Sequence, residues 1–136
     1  MNIIIAGDGE MGSYLATLLS GEDHDITMIN PSKEFLEEMD SHADIMTMVG
    51  NATQISILQS ARIDRADLFI SVMHTEEPNL VACILAKKFG AKRCIARVSD
   101  IENLSPANKA LYRDLGIDNL VSPEQIAATE VVKLIK

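Results

Sequence analysis

Six residues near the amino terminus, Gly7-Asp8-Gly9-Glu10-Met11-Gly12, match the spacing G-x-G-x-x-G. Each glycine has a distinct physical use. Gly7 permits a tight turn out of a strand, Gly9 lets a pyrophosphate approach the backbone, and Gly12 lets the following helix pack close to that strand. The helix start then offers free N–H groups and a partial positive charge to phosphate. Turn and packing alone are the alternative use of the same glycines. A ligand held this way also needs a partner for its ribose at the end of the second strand. Asn30 stands there, 18 positions after Gly12. Its amide has one acceptor oxygen and no charge, so it grips ribose hydroxyls less firmly than a carboxylate and excludes a 2′-phosphate less well. Ser32 and Lys33 beside it are compatible with NADP. Changing Asn30→Asp is expected to tighten the ribose contact by ~1 kcal/mol. Asn30-Pro31 is equally a turn signal, and a structural Asn30 fits the sequence too.

A second set of polar residues falls just after other apolar runs. Arg97 sits inside an otherwise apolar segment, and a buried arginine wants an anion, either a ligand's or a carboxylate's within the chain. His74 is the one histidine in a loop on the ligand side, where it reads as a polar lining residue. His24 and His42 have no partners at metal-ligand spacing, so no metal site is expected. Cys83 and Cys94 read as buried, inert thiols. Met28, Met46, Met48 and Met73 read as core filler. Glu76 and Glu77 suit the positive end of a helix dipole.

The elements that must position these groups alternate regularly. Apolar runs at 2–6, 26–30, 45–49, 68–73, 93–98 and 117–121 read as strands. Helical patterns occupy 10–20, a short stretch capped by Ser32, another bearing Ile55, Ile57 and Leu58, then 76–89 capped by Thr75, and 104–115. Ser122-Pro123-Glu124-Gln125 opens a last helix. Six strands alternating with helices imply βαβ units in a doubly wound parallel sheet, a Rossmann-like α/β fold of order 3-2-1-4-5-6. Ligands of such sheets bind beyond the carboxyl ends of the strands, near the switch between strands 1 and 4.

Composition narrows the function classes. The 136 residues carry 12 basic and 20 acidic side chains, a formal net charge of −8, the wrong balance for nucleic acid or an anionic membrane surface. With 47% apolar residues a core is available, and one domain over 1–136 is expected. No apolar run approaches the ~20 residues of a membrane span, and MNIIIAGDGEMG lacks the cationic start of a signal peptide. A cytoplasmic location follows as the expectation.

Several segments are more particular than the glycine motif: IIIAGDGEMG at the start, MVGNAT at 48–53, ADLFISVMHTEEPNLVACILAKKFGAK at 66–92, IARV at 95–98 and LVSPE at 120–124. In this order and spacing they resemble the N-terminal nucleotide-binding lobe of TrkA-type potassium-uptake regulators, the RCK or KTN domain family, over essentially the whole chain. The resemblance implies a cytoplasmic, non-catalytic regulator that binds NAD, NADH or an adenine nucleotide (ADP or ATP) and controls a membrane potassium transporter subunit. It places phosphates over Gly7, Asp8, Gly9, Glu10, Met11 and Gly12, ribose at Asn30 and adenine beside Asn51, Ala52 and Thr53. Met73, His74 and Thr75 would face the ligand's middle, with Arg97 near a phosphate. Asn30 stands where the family usually has Asp. Glu10 stands where ATP-preferring relatives often have Arg, and its carboxylate would repel a triphosphate. The resemblance also implies a homodimer, a higher ring in the full protein, and further lobes beyond this one.

A Rossmann NAD(P)-dependent oxidoreductase domain lacking its substrate domain is the competing reading. Hydride transfer needs a group poised to move a proton at the nicotinamide, and none stands out. A module for assembly alone would leave the intact phosphate loop without a use. Residues 126–135 carry apolar side chains around most of a helix, more than one sheet face requires. Self-association through that helix is therefore expected.

Overall fold

The computed structural model describes residues 1–7, 9–20, 23–42, 45–99 and 101–122. Strand β1 (Asn2–Gly7) leads to helix α1 (Gly9–Ser20), β2 (Asp25–Asn30) to α2 (Lys33–His42), and β3 (Met46–Val49) to α3 (Ile55–Ser60). Then β4 (Leu68–Val72) leads to α4 (Glu76–Lys88), β5 (Cys94–Arg97) to α5 (Pro106–Asp114), and β6 (Asn119–Val121) follows. All pairings are parallel and the order is β3-β2-β1-β4-β5-β6, the doubly wound topology expected from the alternation.

Successive side chains of each strand point to opposite faces, which sorts the core into two layers. Ile3, Ile5, Met28 and Ile70 pack with Leu15 and Leu19 of α1 and Leu36 and Met39 of α2. Ile4, Ala6, Phe69 and Ala96 pack with Leu58 of α3 and with Ala82, Cys83 and Ala86 of α4. Helices on both faces explain why the central strands are mostly apolar, and all five residues of β4, Ser71 included, are buried. The edge strand β3 departs from this. Met46 is 71% exposed, against the expectation that the strand methionines fill the core, whereas Met28 is buried and Met48 and Met73 are partly so. With a neighbour on one side only and a six-residue α3 beyond it, β3 lacks the layer that would cover Met46.

The helix limits follow local chemistry. Ser32 Oγ accepts the Phe35 N–H at 3.2 Å, the expected cap of α2. Thr75 occupies the N-cap of α4 in extended conformation, but its side chain makes no capping bond. The helix expected over 104–115 is α5, which begins two residues later, behind a 3₁₀ turn at Ile101–Leu104. Ser105 Oγ caps α5 through the Asn108 N–H at 3.3 Å, with Pro106 in its first turn. The proline ring disfavours helical backbone at the residue before it, so the two pieces cannot fuse. Gly90 and Gly116 end α4 and α5 with φ of +119° and +108°, a conformation other residues rarely adopt. At the far end of α4, Lys87 Nζ donates to the Lys92 carbonyl at 2.8 Å and pairs with Asp118 at 3.0 Å, while Asp118 accepts the Cys94 N–H at 2.8 Å. The helix start at Ser122–Gln125 and the apolar helix at 126–135 lie outside the described residues.

Candidate functional site

The carboxyl ends of β1 and β4 lie side by side, paired through Gly7 and Val72, with β2 beside β1 and β5 beside β4. A Cβ on Gly7 would stand 2.7 Å from Val72 Cγ2 and 3.3 Å from Gly12 Cα. A Cβ on Gly12 would meet the Gly7 carbonyl carbon at 3.4 Å. These two glycines let β1, β4 and the first turn of α1 approach closely. Gly9 begins α1. Asp8 lies outside the described residues, as do the side chains of Glu10 and Met11.

Asn30, at the end of β2, is 3% exposed. Its Nδ2 donates to the Gly7 carbonyl and its Oδ1 accepts the Ser32 N–H at 2.7 Å. The side chain thus ties the glycine turn to β2 and closes an Asx turn at Pro31. Its oxygen keeps one lone pair and its nitrogen one N–H for a ligand. Next along the edge, the Gly50 N–H bonds the Asn30 carbonyl at 3.0 Å. Asn51 Oδ1 accepts from the Thr53 N–H at 3.0 Å and from Thr53 Oγ1 at 2.8 Å, and Ala52 is buried.

On the other side of the switch point, a residue that the sequence reasoning missed organises the wall. Asn79 of α4 is 1% exposed. Its Oδ1 accepts from Ser71 Oγ at 2.8 Å and from the Met73 N–H at 2.6 Å. Its Nδ2 donates to the carbonyls of Met73 at 2.9 Å and Arg97 at 3.0 Å. The available signal was a polar residue in phase with Ala82, Cys83 and Ala86 on the inward face of α4. Arg97 Nη1 donates to the Met73 carbonyl at 3.2 Å, so its partner among the described residues is a carbonyl, not a carboxylate. Arg97 Nε is buried and has no hydrogen-bond partner among those residues. Glu76 adds one more tie, accepting the Ser99 N–H at 2.9 Å.

Between these groups lies a crevice of about 140 Å³ lined by Gly7, Ile29, Pro31, Gly50, Asn51, Ala52, Met73, Thr75 and Pro78. The structure therefore brings Gly7, Asn51, Ala52, Met73 and Thr75 to one space, whereas Asn30, Thr53 and Arg97 do not line it; Asn30 bonds Gly7 and Arg97 bonds Met73 behind its wall. His74 is exposed and is not among the lining residues. A larger depression, about 440 Å³, opens at the opposite end of the sheet between the starts of β1–β3 and residues 60–66. Strand amino ends offer no glycine turn and no incoming helix N-terminus, so the smaller crevice has the chemistry for an anionic ligand. Among the described residues no three His, Cys, Asp or Glu side chains are grouped to hold a metal. Cys83 and Cys94 are fully buried, and burial, then the neighbouring Cys94 thiol, pushes the Cys83 thiol well up.

Comparison with known proteins gives the family and the fold. Residues 3–123 match the model of the TrkA-N domain family. The chain is 35% identical over 135 residues to the Trk system potassium uptake protein TrkA homolog of Methanothermobacter thermautotrophicus, covering 99% of this chain and 60% of that protein. The chain thus spans well under two thirds of that relative's length. Among solved structures, the TrkA-N domain of the inner membrane protein ybaL from Escherichia coli superimposes with a TM-score of 0.77 at 20% identity, covering 99% of this chain and 96% of the other. The GsuK channel bound to NAD gives 0.72 at 18% identity over 88% of this chain and 21% of the other. The AMP-bound Kef C-terminal domain of Shewanella denitrificans gives 0.71 at 22% identity over 99% and 81%. At these identities the structural likeness speaks for the fold. Among the described residues no helix is long and apolar enough to cross a membrane.

Proposed function

The chain belongs to the TrkA-N domain family, and on that premise we propose that it is a non-catalytic nucleotide-sensing lobe of a potassium-uptake regulator. NAD or NADH is the favoured ligand, with ADP, ATP and NADP as the alternatives. The observation that carries the reading is the crevice at the β1–β4 switch point, bounded by the Gly7 turn and by Met73, whose carbonyl holds Arg97 Nη1. Gly7 leaves no room for a side chain at the turn, which suits backbone contact with a pyrophosphate. Asn30 Oδ1 has a lone pair left for a ribose hydroxyl, and Asn51 and Ala52 border the space proposed for adenine. Relatives named potassium uptake proteins and a channel structure holding NAD support the same assignment.

In this reading the domain is one lobe of a longer cytoplasmic regulator whose partner is a membrane potassium transporter subunit. The ligand acts by favouring one geometry of a homodimer or ring over another, since a sensor needs only differential affinity for two arrangements. Residues 126–135 would supply the dimer contact. Light scattering on the purified chain, with and without Val131→Glu, tests this part, and a strict monomer in both cases removes it. The ligand assignment is tested by calorimetric titration with NAD, NADH, NADP, ADP and ATP. Gly9→Val should abolish binding while leaving the fold intact. Unchanged affinity for every nucleotide would place the phosphates elsewhere.

A further inference from the structure

We infer that Asn79 is a positioning residue for ligand binding: through the ends of β4 and β5 it sets where the Arg97 guanidinium stands relative to Met73, which lines the crevice. This inference rests on the nucleotide reading above. The β4–β5 ladder stops at the pair Ser71 and Ala96, and beyond it the two strand ends are joined through side chains. Asn79 replaces the missing ladder. Its oxygen takes two hydrogen bonds and its nitrogen gives two, the whole capacity of a carboxamide. The rest of α4's inward face is Ala82, Cys83 and Ala86, so packing alone would be served by a small apolar residue. What the amide adds is a fixed distance between the Met73 and Arg97 carbonyls.

Both ends of Arg97 are referenced to that clamp. Its carbonyl accepts from Asn79, and its Nη1 donates to the Met73 carbonyl that Asn79 also holds. The guanidinium is planar, so anchoring Nη1 at one carbonyl also fixes where the unpartnered Nε points. A clamp of four bonds acting on the two strand ends, and through Met73 on the guanidinium, is the arrangement for holding the Arg97 head in one register for an anion. Loss of Asn79 would let Met73 and Arg97 drift apart and cost phosphate recognition in particular. The adenosine part of the ligand lies toward Asn51 and Ala52 and would be spared.

The test compares ADP with adenosine by calorimetry on wild type, Asn79→Ala, Arg97→Gln and the double variant. Asn79→Ala is expected to weaken ADP about tenfold, the scale of one hydrogen bond to a charged group, and adenosine by less than about twofold. Arg97→Gln should have the same selective effect, and combining the two should weaken ADP little further. Equal losses for ADP and adenosine, or fully additive losses in the double variant, describe a merely structural residue and overturn the inference. Should Asn79→Ala fail to fold, Ser71→Ala removes one of the four bonds, and a selective ADP loss of about threefold is then required. Absence of any selective loss in that variant also overturns it. Wild-type protein that binds neither ligand would instead refute the nucleotide reading itself, and with it this inference.

Discussion

Replacing Asn30 by aspartate separates two effects that oppose each other. The sequence-level expectation is a stronger ribose contact. The structure adds a cost in the ligand-free protein, because Asn30 Nδ2 is the donor to the buried Gly7 carbonyl. In Asn30→Asp the oxygen facing Ser32 still accepts its N–H, now as a charge-assisted bond. The other oxygen is an acceptor turned toward an acceptor, and the Gly7 carbonyl loses its partner at a site only 3% exposed. Leaving one buried acceptor unpaired costs ~1–3 kcal/mol, and the stronger Ser32 bond offsets part of it, so a loss of about 2 kcal/mol at pH 7 is expected. The sign of its pH dependence follows from linkage. A protonated carboxyl can donate to the Gly7 carbonyl, so the folded state favours the neutral form and the introduced group's folded pKa lies above its unfolded value near ~3.9. The deficit is therefore small below the unfolded pKa and grows as pH rises through the folded pKa. Urea denaturation of the ligand-free proteins at pH 7 and near pH 4 measures both quantities. A variant as stable as wild type at pH 7, or a gap that widens on acidification, would refute the reasoning. Titration with NAD and NADP on the same variant then reads the ribose contribution separately.

Gly7→Ala should lower stability by about 2 kcal/mol, the scale of overpacking, because its Cβ would stand 2.7 Å from Val72 Cγ2 and 3.3 Å from the Gly12 backbone; an unchanged Tm would refute this. Cys83 and Cys94 should resist iodoacetamide in the native protein and react once it is unfolded, since both are fully buried and the Cys83 thiol is pushed up. Rapid native labelling would show that the two core positions open readily. The Asn2 N–H at 2.8 Å and then Lys92 hold the Asp67 carboxyl below its ordinary range. Its contribution is present above the unfolded pKa and lost as pH falls through the lower folded one, so Asp67→Asn should flatten the acid limb of a circular-dichroism stability profile; an unaltered limb would count against it.

Much of the fold was written locally. Apolar runs with period two or none, separated by helical patterns and by Gly90 and Gly116, sufficed for the strands, their parallel pairing and their order, because burial on both faces and right-handed crossovers leave few alternatives. Ser32 announced its helix, and Ser105-Pro106 carried the same signature as Ser122-Pro123 although a longer helix was expected across it. The close contact of Gly7 with Gly12 was also legible, since both belong to one turn. What the local pattern could not decide was where single polar side chains spend their hydrogen bonds. Asn30 reaches back 23 residues to Gly7, Asn79 reaches forward 18 to Arg97, and Arg97 meets a carbonyl 24 residues earlier. Those partners meet only where β1, β2, β4 and β5 end together. Met46 likewise looks like a core residue by type and is exposed by its place on the edge strand. Periodicity reports which face of an element is buried; which side chains complete one another across a switch point depends on distances that exist only after the sheet has formed.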